Sequence, residues 1–141
     1  PGNLYGDLRW HIRNLIIGAT RNWCKTIIEW NLASDENQKP HTEGGCSSCL
    51  GAVTITGNSV QRNTAYYVIA HASKFVPPGS VRLHSSSSST LPNVSFLTPE
   101  EKIVTIVLND SSNKINFNII LDGKDIHSSL NAGAIGTFVL N

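Results

Sequence analysis

A Pro-Pro-Gly triplet at residues 77–79 divides this chain into two stretches with different sequence patterns. Proline cannot continue a helix or a central strand, so the triplet ends the element before it. Beyond it, apolar and polar residues alternate in short runs separated by turn residues, which is typical of an antiparallel β-sandwich. The predicted strands are 81–83, 94–97, 103–108, 115–119 and 136–140.

A run of five serines, residues 85–89, separates the first two of these strands. Serine-rich runs form flexible linkers or exposed loops. Because strand patterns lie on both sides, we interpret the run as a solvent-exposed hairpin loop, with a flexible linker as the alternative.

The first stretch of the chain has the pattern of alternating helices and strands. Apolar residues recur at the helical period between Asp7 and Ala19, and Asp7 is a suitable N-cap. Residues 26–30 follow as a short apolar run, the pattern of a parallel strand buried on both faces. A long loop over 34–49, a strand at 52–56 and a helix at 63–75 complete this stretch.

Composition excludes several classes of protein. The chain has 141 residues, a net charge of +1, 40% hydrophobic residues and 15% charged residues. These values describe a globular chain and give no electrostatic basis for binding nucleic acid. No apolar run approaches the ~20 residues of a membrane span, and residues 1–7 do not resemble a signal peptide. The chain contains no methionine, and we expect it to be a piece of a longer protein.

Three cysteines are present. Cys24 opens an apolar run and is predicted to be a buried free thiol. Cys46 and Cys49 lie in a Gly- and Ser-rich loop, where a small disulfide, two free thiols, or a zinc site completed by His41 and His71 are the open alternatives. A redox-active pair is disfavoured because no helix N-terminus follows to stabilise a thiolate. We predict no bound metal ion.

Three motifs together resemble glycoside hydrolase family 30, the glucosylceramidase-like enzymes. Residues 30–33 read Trp-Asn-Leu-Ala, like that family's W-N-L-A strand end, and Asp-Glu-Asn at 35–37 resembles its following loop. Residues 67–80 are similar to its Y-x-x-x-H-F-S-K-F-x-P-x-G-S segment, with Ala72 in place of the usual aromatic residue. Residues 104–109 resemble its V-x-V-x-x-N strand.

The resemblance implies an α/β part followed by an all-β part. Residues 1–79 would be the C-terminal end of a (β/α)8 catalytic barrel, with 7–19 as its seventh helix, 26–30 as its eighth strand and 63–75 as its eighth helix. Residues 80–141 would form most of a C-terminal β-sandwich. An early segment of family members also joins the sandwich, so a sheet edge would be exposed without it.

The resemblance also implies hydrolysis of β-glycosidic bonds with retention of configuration. A carboxylic acid protonates the leaving oxygen and a second carboxylate, ~5–5.5 Å away, attacks the sugar. Both family positions fall before Pro1, so we predict no catalytic residue in this chain and no activity from the chain alone.

The substrate implied is a β-glucoside, either a glycolipid such as glucosylceramide or a β-1,6-glucan. No cofactor is implied. The expected partners are this carbohydrate or glycolipid and the N-terminal part of the same enzyme, and the expected location is secreted or periplasmic.

Trp30 and Asn31 are the predicted substrate-binding residues, because barrel enzymes bind substrate at the C-terminal ends of their strands. The indole of Trp30 offers a flat surface to the C–H face of a sugar ring, and packing at the barrel mouth is the alternative. Asn31 is expected either to bond a sugar hydroxyl or to fix the loop. Glu29 should point away from Trp30 by strand alternation and support the pocket as a hydrogen-bond or ion-pair partner.

The remaining aromatic and histidine side chains receive structural roles. His71 is expected to bond the backbone or a neighbouring carboxylate. Family members supply a polar residue to the sugar pocket from the loop near the cysteines, and His41 or Glu43 could take that place here. Trp10 and Trp23 are assigned to packing, and His11, His84 and His127 to the surface.

Two other functions are open at this point. The chain could be a non-catalytic module in which the sandwich binds carbohydrate or a partner protein. It could also be a small zinc-binding interaction domain, although one C-x-x-C with one loop histidine is a thin ligand set.

Overall fold

The computed structural model describes residues 4–86 and 88–141. Residues 1–3 of the predicted barrel part and Ser87 of the serine run lie outside the described residues. Most of the regular structure is β: nine strands in three sheets, accompanied by two α-helices and one π-helix, are found in the described ranges. No helix in these ranges is long and apolar enough to span a membrane.

The first helix, α1, runs from Leu4 to His11 and continues directly into a π-helix over Ile12–Ala19. The predicted start at Asp7 is therefore wrong. Asp7 lies in the first turn instead, where its carboxylate interacts favourably with the helix dipole. In the π-helix a Cβ at Gly18 would lie 2.9 Å from the carbonyl oxygen of Arg13, so glycine is required for this wide turn to close.

The run predicted as a buried strand over 26–30 forms no strand. Ile28 is 87% exposed, and Cys24, although free, is exposed rather than buried. A strand is stable only when neighbours accept its backbone hydrogen bonds, and the described residues provide no such neighbour for this run. The prediction of a buried strand here is wrong, as is that of a buried Cys24.

A small sheet follows, with β1 (Ala33–Asp35) parallel to β2 (Val53–Thr56), which pairs with β3 (Ser59–Arg62) in antiparallel fashion. β2 confirms the predicted strand at 52–56. β1 falls at the start of the predicted loop, and β3 escaped prediction because all four of its residues are exposed. The helix α2 (Thr64–Ser73) confirms the predicted helix at 63–75.

A four-stranded antiparallel sheet has the order β4 (Val81–Leu83), β5 (Asn93–Leu97), β6 (Ile103–Leu108), β9 (Ile135–Leu140). A separate hairpin pairs β7 (Ile115–Leu121) with β8 (Lys124–Leu130). The five predicted strands are confirmed. β8 was missed because it is mostly polar.

The serine run connects β4 to β5, which are antiparallel neighbours. Its described residues therefore lie in the connection of a hairpin, as predicted. Arg21 fixes the start of this connection, since its guanidinium donates hydrogen bonds to the hydroxyl and carbonyl oxygens of Ser85 and to the carbonyl of Asn93, at 3.0 to 3.1 Å.

The helices and the four-stranded sheet share one hydrophobic core. The π-helix and α2 pack their buried apolar side chains against β5 and β6, which removes this surface from water and stabilises both layers. The buried residues of this cluster are Ile12, Ile16, Ile17, Val68, Val94, Phe96, Ile106 and Leu108.

An ion-pair cluster joins the same two layers. The guanidinium of Arg9 donates to the carboxylate of Asp110 from Nε at 3.0 Å and to its backbone carbonyl at 3.1 Å, and Arg13 also pairs with this carboxylate. Only 9% of the Asp110 side chain is exposed. The preceding residue, Asn109, is fully buried.

The assignment of Trp10 and Trp23 to packing is wrong. Their exposed fractions are 57% and 77%. The ring of Trp23 lies under the guanidinium of Arg82, at 4.2 Å from the ring centroid, so it makes a surface cation–π contact rather than a core contact.

Candidate functional site

A cavity of about 670 Å³, here called the Trp30 cavity, opens beside the segment that ends at Trp30. Its walls come from α1, from residues 29–30, from the loop that precedes β2, from the end of β3 and from α2. Its lining includes Asp7, His11, Glu29, Trp30, Ser48, Cys49, Leu50, Gly51, Arg62, Asn63 and Tyr67.

Two aromatic side chains with exposed surface lie on this cavity. Trp30 is 64% exposed and Tyr67 is 50% exposed. Such rings present apolar faces that suit the C–H face of a sugar, and the Tyr hydroxyl adds a polar end. Tyr67 was not predicted as a site residue, although it begins the most specific of the motifs at 67–80. Its position two turns before Phe75 gave no indication of which way the ring would face.

Two carboxylates line the Trp30 cavity. Oε1 of Glu29 lies 2.7 Å from Nδ1 of His11, and 16% of the glutamate side chain is exposed. Asp7 is exposed on α1. The alternation argument that turned Glu29 away from Trp30 does not apply, because this run is not a strand and both residues line the same cavity. His11, predicted at the surface, is half-buried by its contact with Glu29.

Asn31 fixes the backbone after Trp30. Its φ is 58°, a left-handed conformation that asparagine tolerates better than most residues. Its Oδ1 accepts a hydrogen bond from the backbone N–H of Ala33 at 3.2 Å, and its carbonyl accepts one from Ala52 at 3.0 Å. These bonds give Asn31 a structural role, which is to hold the backbone of the loop in place. The side chain is not part of the cavity lining, and a bond to sugar stays a prediction.

The loop before β2 contains a disulfide between Cys46 and Cys49, and Cys49 lines the cavity. The bond removes both thiolates that a zinc site would use. Within residues 4–86 and 88–141 no three His, Cys, Asp or Glu side chains are grouped to hold a metal ion. The loop residues His41 and Glu43 are exposed and lie outside the cavity lining.

Gly51 connects this loop to the small sheet. A Cβ at Gly51 would lie 2.9 to 3.0 Å from the backbone of Ala33, so only glycine allows the two chains to cross this closely. The Oγ of Ser34 accepts from Gly51 N–H at 3.2 Å, and Nδ2 of Asn63 donates to the Gly51 carbonyl at 2.9 Å and to the Thr54 hydroxyl at 2.8 Å. The back of the cavity is therefore closely packed and hydrogen-bonded.

A second cavity, of about 590 Å³, lies between the four-stranded sheet and the β7–β8 hairpin. We call it the inter-sheet cavity. Its walls combine apolar side chains, such as Ile103 and Leu140 from the sheet and Phe117 from β7, with polar ones from the serine run and β5.

His71 lies away from both cavities. Its Nδ1 is 2.8 Å from the hydroxyl of Thr137 on β9, so the expected backbone or carboxylate partner is replaced by a threonine hydroxyl. Burial lowers the pKa of His71 below its usual 6.5, because desolvation disfavours the imidazolium. The sequence separation of 66 residues hid this partner.

Comparison with known proteins gives a consistent result. Residues 79–138 match the family model of the glycosyl hydrolase family 30 beta sandwich domain. The chain is 30% identical over 140 residues to endo-1,6-beta-D-glucanase neg1 of Aspergillus fumigatus, covering 93% of this chain and 29% of that protein. It is 32% identical over 110 residues to lysosomal acid glucosylceramidase of Mus musculus, covering 77% of this chain and 20% of that protein.

A solved structure is also similar. The endo-beta1,6-glucanase BT3312 superposes with a TM-score of 0.84 at 27% identity, over 94% of this chain and 31% of that one. The chain thus spans less than a third of the length of the curated relatives named above, 29% and 20%.

Proposed function

The chain belongs to glycoside hydrolase family 30, and from this premise we propose that it is the C-terminal part of a retaining β-glycosidase. The relatives include endo-1,6-beta-D-glucanases and a glucosylceramidase, so the substrate class is a β-glucoside. We favour a β-1,6-glucan, since endo-1,6-beta-D-glucanase neg1 and a second endo-1,6-beta-D-glucanase, BGN16.3 of Trichoderma harzianum, align over 93% and 88% of this chain. The observation that carries the proposal is the Trp30 cavity, which two exposed aromatic side chains, Trp30 and Tyr67, line.

In this proposal the chain supplies pocket residues and the catalytic carboxylates come from the rest of the enzyme. Retaining hydrolysis needs an acid and a nucleophile ~5–5.5 Å apart. Of the two carboxylates on the cavity, Glu29 is engaged by His11 and Asp7 is exposed on α1. We therefore assign Trp30 to stacking on the sugar and place the chemistry in the rest of the enzyme. Asn31 stays a proposed polar contact.

Residues 1–79 would then be the end of a (β/α)8 barrel and 80–141 the sandwich. Unusual apolar exposure supports a barrel partner for the segment around Trp30, because monomeric proteins rarely leave such patches open. The exposed fractions are 87% for Ile28 and 79% for Leu32. The inter-sheet cavity would receive the early segment that joins the sandwich. No cofactor takes part, and the disulfide agrees with a secreted or periplasmic enzyme.

The test is hydrolysis of a β-1,6-glucan by the full-length polypeptide that carries this chain. We expect release of glucose units with retained anomeric configuration, seen by NMR of the first product. Trp30→Ala should raise KM about tenfold, the value of one stacking contact. Trp23→Ala is the matched control, since Trp23 is also largely exposed but lies outside the cavity, and it should leave KM unchanged.

Two results would contradict the proposal. Turnover by the 141-residue chain alone would place the catalytic pair inside it. Glucan binding by the full-length protein without turnover, unaffected by Trp30→Ala, would instead support the non-catalytic binding module.

A further inference from the structure

The segment that carries Trp30 has few attachments to the rest of the fold. Within the described part of the chain, residues 27–30 form no strand, and the hydrogen bond between His11 and Glu29 is the one that reaches them. The other attachment is apolar: Ile27 packs against the shared core. Ile28 and Trp30 are largely exposed, so the polar contact that holds this segment to the rest of the fold is the one made by the side chain of Glu29.

His11 is itself held firmly. It ends α1 and its imidazole meets the ring edge of Trp10, with 5.3 Å between centroids. Two residues earlier, Arg9 projects toward the opposite side of the helix, as the 100° turn per residue requires, and binds Asp110. One side of α1 is therefore bound to the sandwich and the other to the segment ending at Trp30.

We propose that His11 and Glu29 are a pair of positioning residues that hold Trp30 at the cavity. This inference rests on the proposed role of Trp30 in binding sugar. The Nδ1–H of His11 donates to the Glu29 carboxylate at 2.7 Å, one residue before the indole. Because neighbouring residues share a backbone, restraining Glu29 restricts the directions that the Trp30 ring can take. Neither side chain touches the reacting atoms in this role; each acts through the tryptophan.

The test uses the full-length polypeptide with a β-1,6-glucan. His11→Ala should raise KM about tenfold, as expected for loss of one charge-assisted hydrogen bond, while kcat changes less than about twofold. His11→Asn, whose amide nitrogen can take the place of Nδ1, should restore KM to within about threefold. Glu29→Gln, which keeps an acceptor oxygen, should fall between the two. His127→Ala is the matched control, because His127 is an exposed histidine bound to Asn118 on the β7–β8 hairpin.

KM separates positioning from a structural role. A variant that merely lowers the folded fraction reduces the apparent kcat and leaves KM unchanged. In the double variant of His11→Ala with Trp30→Ala, KM should equal that of Trp30→Ala alone, since the pair acts through the ring.

Three outcomes would overturn the inference. KM unchanged in His11→Ala while Trp30→Ala raises it would show that the ring needs no such restraint. Failure of His11→Asn to restore KM would remove the hydrogen bond as the cause, and a hundredfold fall in kcat at constant KM would make the pair catalytic. If Trp30→Ala itself leaves KM unchanged, the proposed role of Trp30 fails and this inference fails with it.

Discussion

His71 and Thr137 join α2 to the edge strand β9 through a hydrogen bond of 2.8 Å between Nδ1 and Oγ1. The same hydroxyl lies 3.4 Å from the carbonyl oxygen of His71, so it can donate there when Nδ1 carries the hydrogen, or donate to Nδ1 in the other tautomer. Burial lowers the pKa of His71, so the imidazole is neutral at neutral pH.

This contact predicts a pH-dependent stability. A histidine with a lowered folded-state pKa binds protons more readily in the unfolded chain, so stability is greatest above the unfolded pKa of about 6.5 and falls as the pH drops toward the folded pKa. Urea unfolding at pH 7.5 and 5.5 should show the lower midpoint at pH 5.5. In His71→Asn, which keeps a donor to Thr137 but does not titrate, the difference should shrink. An unchanged pH dependence in that variant would show that other groups cause it.

The pair between Asp110 and the two arginines should contribute measurably to stability. Asp110→Ala removes a largely buried carboxylate that binds both Arg9 and Arg13, and we expect a loss of about 2 kcal/mol in the free energy of unfolding. Asp110→Asn keeps one acceptor oxygen and should lose less. Lys102→Ala serves as a control, because its bond to Glu100 is exposed and such pairs contribute about 0.5 kcal/mol or less. Equal effects of the two alanine variants would contradict the expectation.

Asn109 should be the most sensitive polar residue of the sandwich. It is fully buried, and its Nδ2 donates to the carbonyl oxygens of Asn113, Leu130 and Asn131 at 2.7 to 3.0 Å. Asn109→Leu leaves these partly buried carbonyls without their donor, so we expect a loss of about 3 kcal/mol or more. Asn113→Ala, at an exposed position nearby, should change stability by less than about 0.5 kcal/mol. Chemical denaturation of both variants measures the difference.

Gly51 should tolerate no side chain. In Gly51→Ala the new Cβ would meet the Ala33 backbone, and we expect a loss of about 1–3 kcal/mol together with a displaced cavity wall. Gly57→Ala is the control that distinguishes a steric clash of the new Cβ from backbone strain, because Gly57 has a φ of 57° and no atom near its Cβ position. Its loss should be limited to about 1 kcal/mol, the cost of a left-handed alanine. Thermal unfolding of both variants tests this, and a smaller effect at Gly51 would count against the steric argument.

The sandwich could be predicted from sequence because its information is local. The burial of β6 and β7 can be read from their own residues. β6 is a run of mostly β-branched residues, and β7 begins with alternating apolar and polar residues. β8 lacks such a pattern, and its pairing is decided by β7. No local window contains that information.

The candidate site was less predictable because its contacts are long-range. Trp30 was proposed as a site residue from its motif, and the partner of its neighbour Glu29 lies 18 residues away in sequence. The prediction of a strand at 26–30 failed for a related reason. An apolar run indicates that its residues tend to be buried, but the neighbouring strands or helices that bury them must be supplied by other parts of the protein. The same limit applies to His71, whose partner is on the last strand.

The common core of the helices and the sheet restricts where two homologues of this family can be joined to make a chimaera. If only the residues beyond the Pro-Pro-Gly triplet were exchanged between two homologues, the buried isoleucines of the helices from one parent would have to pack against β5 and β6 of the other. Close-packed surfaces fit their own partners, so such a core would be packed poorly. A chimaera is therefore expected to fold best when its crossover point lies ahead of α1, so that helices and sandwich are inherited as a single block.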